Sequence, residues 1–140
     1  MIVVPFKHAH LKDLAEQEAT AYLRPYVAEE NLRALENEFA YTGFAEGRPI
    51  ACVGIVKHWE GRGEAWAFLA GDCRPWFTAI HRASLRALAF AGFRRVEAVV
   101  DYEFKAGHRW VKSLGFEVEA ERLRAYRPTG GDCTLYARVN

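Results

Sequence analysis

The chain has 140 residues, 51% of them hydrophobic and 26% charged, and its 19 Lys and Arg against 18 Asp and Glu leave a formal net charge of +1. That much apolar material supports one core in a single domain over residues 1–140, and the near-balanced charge excludes both the basic excess of a general nucleic-acid binder and the polar bias of a disordered chain. No apolar run approaches the roughly 20 residues of a membrane span. Met1 to His10 carries no basic run and no small-residue cleavage site, so no signal peptide is expected. Cys52, Cys73 and Cys133 are odd in number and have no CxxC spacing, so free thiols in a reducing, cytoplasmic compartment are expected.

Ile2 to Phe6 is a short β-branched and aromatic run that predicts a first strand. Leu11, Leu14, Ala15, Ala19 and Tyr22 then recur at helical spacing until Arg24-Pro25, which predicts an amphipathic helix. A second, shorter helix is expected over Ala28 to Glu38, with Leu32 and Leu35 on one face and acidic residues at its positive end. From Phe39 the period changes to two. Tyr41 to Phe44, the turn Glu46-Gly47-Arg48-Pro49 and the run Ile50 to Val56 predict a hairpin, and Glu60-Gly61-Arg62-Gly63 turns the chain into Ala65 to Leu69. A loop at Gly71 to Pro75 precedes a long helix from Trp76 to Ala91, ended by Gly92. Arg95 to Val100 reads as a fifth strand, Lys105 to Leu114 as a helix, Phe116 to Glu121 or Tyr126 as a sixth strand and Thr134 to Val139 as a seventh.

That order, with Gly115-Phe116 after the last helix, resembles the Gcn5-related N-acetyltransferase (GNAT) fold over essentially the whole chain. The resemblance implies an α+β domain with a mixed, mostly antiparallel sheet of about seven strands flanked by helices. It is closest in "RWVKSLGFEVE", Arg109 to Glu119. Elsewhere the family's motifs are replaced. Val111 stands where its catalytic Tyr would be and Phe104 where its Asn would be. Gly71-Asp72-Cys73-Arg74-Pro75-Trp76 replaces the glycine-rich phosphate loop, so that Pro75 removes an N–H donor and Asp72 adds negative charge. The aromatic Trp66-Ala67-Phe68, the glycine-poor loop and the last strand after Gly130-Gly131 are similar to small acetyltransferase-like proteins of tailed bacteriophages and prophages, including the internal virion protein type.

The resemblance implies where a coenzyme would sit. Acetyl-CoA would lie between the fourth and fifth strands, with backbone of Trp66, Phe68 and Leu69 and of Val99, Val100 and Asp101 bonding its pantetheine. Gly71, Asp72, Cys73 and Arg74 would receive the pyrophosphate. Glu64 is the candidate base, and Tyr102 or His108 the candidate acid in place of the missing Tyr. Each residue also has a plainer reading. Glu64 fits a solvated hairpin charge, His108 a histidine packed on a helix face with Phe104 and Val111, and Trp66 and Phe68 core aromatics. Trp76 and Phe77 would fill space that phosphates occupy in active relatives.

Cys73 is either an ordinary loop thiol or a reactive one, if the helix start lowers its pKa. Arg74, Arg82, Arg86, Arg94 and Arg95 form a basic edge that suits solvent, a coenzyme phosphate or an acidic partner. His8-Ala9-His10 lacks further ligands, so no metal site is expected. Two functions follow: an atypical acyl-CoA-dependent N-acetyltransferase acting on an unspecified amine, or a noncatalytic module that binds phage structural proteins, in the host cytoplasm or packaged in a virion. No nucleic-acid or membrane partner is expected, and the oligomeric state stays open.

Overall fold

A computed structural model describes residues 1–140. Its seven strands form one sheet in the order β1-β2-β3-β4-β5-β7-β6. Contacts divide the chain into two compact units, Met1–Val56 with Trp66–Ala91 and Lys57–Ala65 with Gly92–Asn140.

In the first unit, β1 (Ile2–Pro5) pairs antiparallel with β2 (Tyr41–Ala45), and β2 with β3 (Arg48–Trp59). The hairpin closes through Glu46 and Gly47, with φ of 53° and 75°. Two successive positive φ values make the tight turn whose twist matches antiparallel strands, and glycine accepts that conformation without penalty. The expected hairpin is therefore present. β4 spans Arg62–Leu69 and starts earlier than the sequence pattern suggests.

The expected helix through Leu11 to Tyr22 does not form as one piece. The chain makes a 3-10 turn at His8–Lys12, runs extended, and forms only a short α1 (Glu18–Ala21). The reason is that the end of β4 claims the backbone in between. Gln17 N–H donates to Leu69 O and Gly71 N–H to Ala15 O, and Glu16 bridges to Ala70. Strand-type bonds to a neighbour outweigh the modest helical preference of so short a segment. The periodic leucines are nonetheless core residues, since Leu11 and Leu14 are buried.

The second helix is also shorter, α2 (Glu29–Arg33). Beyond it Asn37 takes over the backbone, its side chain accepting from Phe39 N–H and donating to Ile55 O. A 3-10 turn at Arg74–Trp76 leads into α3 (Phe77–Ala91), which buries Ile80, Ser84 and Leu88 on one stripe. Phe6 meets Trp66 edge to face at 5.0 Å. Gly54 is required under that indole, because a Cβ there would come within 2.7 Å of it.

In the second unit, β5 (Arg95–Asp101) pairs parallel with the start of β4 and antiparallel with β7 (Cys133–Val139), which pairs with β6 (Glu117–Leu123). Inward residues alternate along β5 as Val96, Ala98 and Val100, the pattern of a strand with one face in the core. α4 (Lys105–Ser113) packs on β5 through Gly107, where a Cβ would meet Val100 at 2.8 Å. Gly115, at φ 92°, ends that helix and Phe116 returns to the core. Arg62 and Arg95 both bond the Glu97 carboxylate at 2.7 Å, and Arg95 also holds Glu119.

Candidate functional site

The parallel pairing of β4 with β5 covers Arg62↔Arg95, Gly63↔Val96 and Glu64↔Glu97, and goes no further. From Ala98 onward β5 keeps its partners only on the β7 side, through to Asp101↔Cys133. On β4, Glu64, Ala65, Trp66, Ala67 and Phe68 are all half-buried, although this strand is central in the sheet. Strand backbone that loses its ladder without being sealed is free to bond a ligand.

Glu64 projects from β4 with its side chain 42% exposed, and its carboxylate lies 3.3 Å from His58 Nε2. The pair offers a hydrated carboxylate backed by an imidazole that can pass a proton on. Trp66 and Phe68 follow on the same strand at 5.6 Å between ring centroids. Trp66 Nε1 is buried without a hydrogen-bond partner. Arg24 lies over the Phe68 ring at 5.5 Å and bonds Glu16 Oε1 at 3.1 Å. Glu16 has a side chain only 5% exposed, and its Oε2 is buried with no partner. A buried, half-satisfied carboxylate is costly and often marks a ligand contact. The sequence reading did not single out Glu16, whose neighbours look like ordinary helix-face charges.

The loop after β4 bears on phosphate binding. Gly71 N–H donates to Ala15 O and Cys73 N–H to Ala70 O, so both point inward. Pro75 has no N–H to offer. The charge of Asp72 is balanced by Arg48, which bonds it at 3.0 and 2.8 Å while its guanidinium lies 5.6 Å from the Trp76 ring. Arg48 follows the β2–β3 turn, and no local pattern in the sequence links it to Asp72. Arg74 stays exposed beside the pair. Cys73 is buried, and burial pushes its thiol pKa up, opposite to what an activated thiol requires.

At the far end of β5, Asp101 pairs with Arg127 at 2.7 Å. Val99 and Val100 precede it, the second buried in the core. Tyr102 is half-buried, with the Arg122 guanidinium 4.5 Å from its ring centroid. His108 is held at both ring nitrogens: Nε2 lies 2.8 Å from Tyr102 O and Nδ1 2.6 Å from the Tyr136 hydroxyl. A carbonyl only accepts, so Nε2 carries a proton, and in the neutral ring Nδ1 then accepts from the phenol. Tyr136 is among the most buried side chains, and burial raises its pKa. This tie fixes the His108 ring, which must give up a bond before it exchanges a proton elsewhere. Within the second unit, then, Tyr102 and His108 are joined by a hydrogen bond, while Glu64 faces His58.

No His, Cys, Asp and Glu side chains gather in threes to hold a metal, and no helix is long and apolar enough to cross a membrane.

No family model matches the sequence, and no curated protein matches it. Solved structures do match. Ribosomal-protein-alanine N-acetyltransferase from Brucella melitensis superposes with a TM-score of 0.73 at 17% identity, covering 100% of both chains. Ard1 from Thermoplasma volcanium gives 0.79 at 16% identity over 99% of this chain and 96% of that one. An acetyltransferase of the GNAT family from Streptococcus pneumoniae gives 0.71 at 16% identity over 99% and 98%. Likeness of this extent at such low identity is a likeness of architecture: the chain has the GNAT acetyltransferase fold.

Proposed function

We propose that the chain is an atypical acyl-CoA-dependent N-acetyltransferase. The observation that carries this reading is the ending of the β4–β5 ladder after Glu64 and Glu97, followed by a central strand that stays half-buried. Within the second unit, the backbone of β5 from Val99 to Asp101, whose ladder runs on the β7 side, suits the amides of a pantetheine arm. The loop Gly71 to Arg74 fits a pyrophosphate less well, with two N–H groups turned inward and Arg74 its main positive charge. Weak coenzyme binding is the expected result.

Acetyl transfer joins the amine nitrogen to the thioester carbonyl carbon and breaks the carbon–sulfur bond. The amine's proton goes to the Glu64 carboxylate, with His58 behind it, and the departing thiolate takes a proton from the Tyr102 phenol. His108, bonded to the Tyr102 carbonyl, is the second candidate acid and orients that segment. Aligning an amine against a bound thioester supplies much of the rate even where an acid is imperfect.

The finer reading is that of a phage- or prophage-type protein with a degenerate coenzyme loop, supported by the Trp66-Ala67-Phe68 strand and the glycine-poor loop. The inward-turned loop amides and the occupied nitrogens of His108 favour a second reading, a noncatalytic module acting through contacts with phage structural proteins in a bacterial cytoplasm or a virion.

Calorimetric titration with acetyl-CoA, with CoA and a desulfo analogue as controls, decides between them. Binding at micromolar to submillimolar Kd, worth about 5 to 8 kcal/mol, supports the transferase. No heat and no thermal stabilisation at millimolar ligand overturns it.

A further inference from the structure

The outer edge of β1 belongs to no ladder. β1 is the first strand of the sheet, and Ile2, Val3 and Pro5 are exposed along it. Which backbone groups it offers follows from its inner side. β1 pairs with β2 from Ile2↔Phe44 to Pro5↔Tyr41, and Phe6 N–H donates to Ala40 O in the same register. The N–H and C=O of a strand residue point the same way, and the direction alternates along the strand. Ile2, Val4 and Phe6 therefore face β2, while Met1, Val3 and Pro5 turn their polar groups outward. Open strand backbone of this kind is a template for another strand.

The outward set is complementary to itself. When two such edges run antiparallel about a two-fold axis at Val3, each Val3 N–H meets the Val3 carbonyl of the other copy. Met1 then stands opposite Pro5. Proline only accepts, and the Met1 nitrogen supplies the donor it needs. The side chains agree with this register, because Val3 meets Val3, Ile2 meets Val4, and Met1 to Phe6 includes no charged side chain that would oppose its own copy.

Four strand residues per copy bury too little alone, since stable interfaces cover about 1,200 Å² or more. A second apolar feature continues the edge. The open groove between α3 and the β2–β3 strands is lined by Met1, Val3 and Phe90, and Met1 partly fills it, with its Sδ only 2.8 Å from where a Cβ on Gly43 would stand. Phe90 is 88% exposed there. A two-fold axis normal to the sheet leaves both α3 helices on one face, so the two grooves join above the paired strands and each Phe90 ring gains cover. A strand from another protein would match the backbone but bring no second groove.

We propose that the chain forms a symmetric dimer by antiparallel pairing of β1 about Val3, with Met1 and Phe90 of both copies packed over the junction. This interface is independent of any acetyl transfer.

Sedimentation of the full chain from about 1 to about 500 μM tests it, and a dimer with Kd on the order of 10 μM is expected. Val3 N–H should become protected from exchange as the dimer forms. Val3→Pro deletes that outward donor without touching the β2 ladder, a place where an edge strand tolerates proline. It should weaken the dimer tenfold or more while the dilute monomer keeps its circular dichroism and melting temperature. Val3→Lys, which sets like charges opposite each other, should abolish the dimer, and Phe90→Ala should weaken it about fivefold. A monomer at about 500 μM, or a dimer indifferent to Val3→Pro and Val3→Lys, would overturn the proposal. So would a monomer that instead takes up an alternating Thr-Val peptide or phosphatidylglycerol vesicles, which would assign the edge to a different partner.

Discussion

Arg48 grips Asp72 with both guanidinium branches, at 3.0 and 2.8 Å, in the loop that the transferase reading assigns to a coenzyme pyrophosphate. Without Arg48 the Asp72 carboxylate would stand alone against incoming phosphate charge. Arg48→Ala is therefore expected to weaken acetyl-CoA binding about tenfold, and Asp72→Asn to leave it equal or tighter. Both variants should keep stability within about 1 kcal/mol, because the pair is solvent-accessible. Calorimetry and thermal melts separate the two effects.

On the transferase reading Glu64 takes the amine's proton; its side chain is 42% exposed and lies 3.3 Å from His58 Nε2. Glu64→Gln should lower kcat for acetyl transfer by about a hundredfold or more while shifting the unfolding midpoint little. His58→Gln should lower kcat less and alter the pH–rate profile. An unchanged rate in Glu64→Gln, measured on any amine that the wild type acetylates, would remove this residue from the mechanism.

The Glu97 carboxyl is held down to about 2 from 4.5, chiefly by its bonds to Arg62 and then to Arg95. Its folded value lies below the unfolded one, so its contribution is complete above 4.5 and is lost as pH falls through about 2. Urea unfolding between neutral pH and that range should show a loss on the order of 2 kcal/mol from this group. Glu97→Gln should flatten that part of the profile, at the cost of lower stability at neutral pH.

His108 and Tyr136 form a partly buried bond at 2.6 Å that ties α4 to β7. Tyr136→Phe leaves His108 Nδ1 without its donor and should cost about 1–3 kcal/mol, several degrees in Tm. If His108 only positions the Tyr102 segment, His108→Gln will lower kcat while the pH–rate profile keeps its shape. Loss of one limb of that profile would instead make His108 the acid.

The strands were legible because alternation and turn residues are local: Glu46-Gly47 announces its hairpin, and Gly115 the end of α4. The helix expected from Leu11 to Tyr22 was not, because the backbone of Ala15 to Gln17 is claimed by Leu69 and Gly71, a tertiary event that periodicity does not register. The candidate residues Glu64, Tyr102 and His108 came from their places in a family pattern. The long-range pairings did not, since His108 meets Tyr136 and Arg48 meets Asp72 only once the chain has folded. The bond that immobilises His108 is thus invisible in sequence, although it decides what that imidazole can do.

The two edges of the sheet are chemically unlike. β6 presents Glu117, Glu119, Glu121 and Arg122 along its exposed margin, whereas β1 presents Ile2 and Val3, with only Pro5 to interrupt it. Charge bars strand addition at the first edge, and the second carries little protection beyond its brevity. Strand-by-strand growth therefore has one open end per molecule, so that two copies meeting there would use up both, and edge-to-edge association would stop at a pair instead of running on into a fibre.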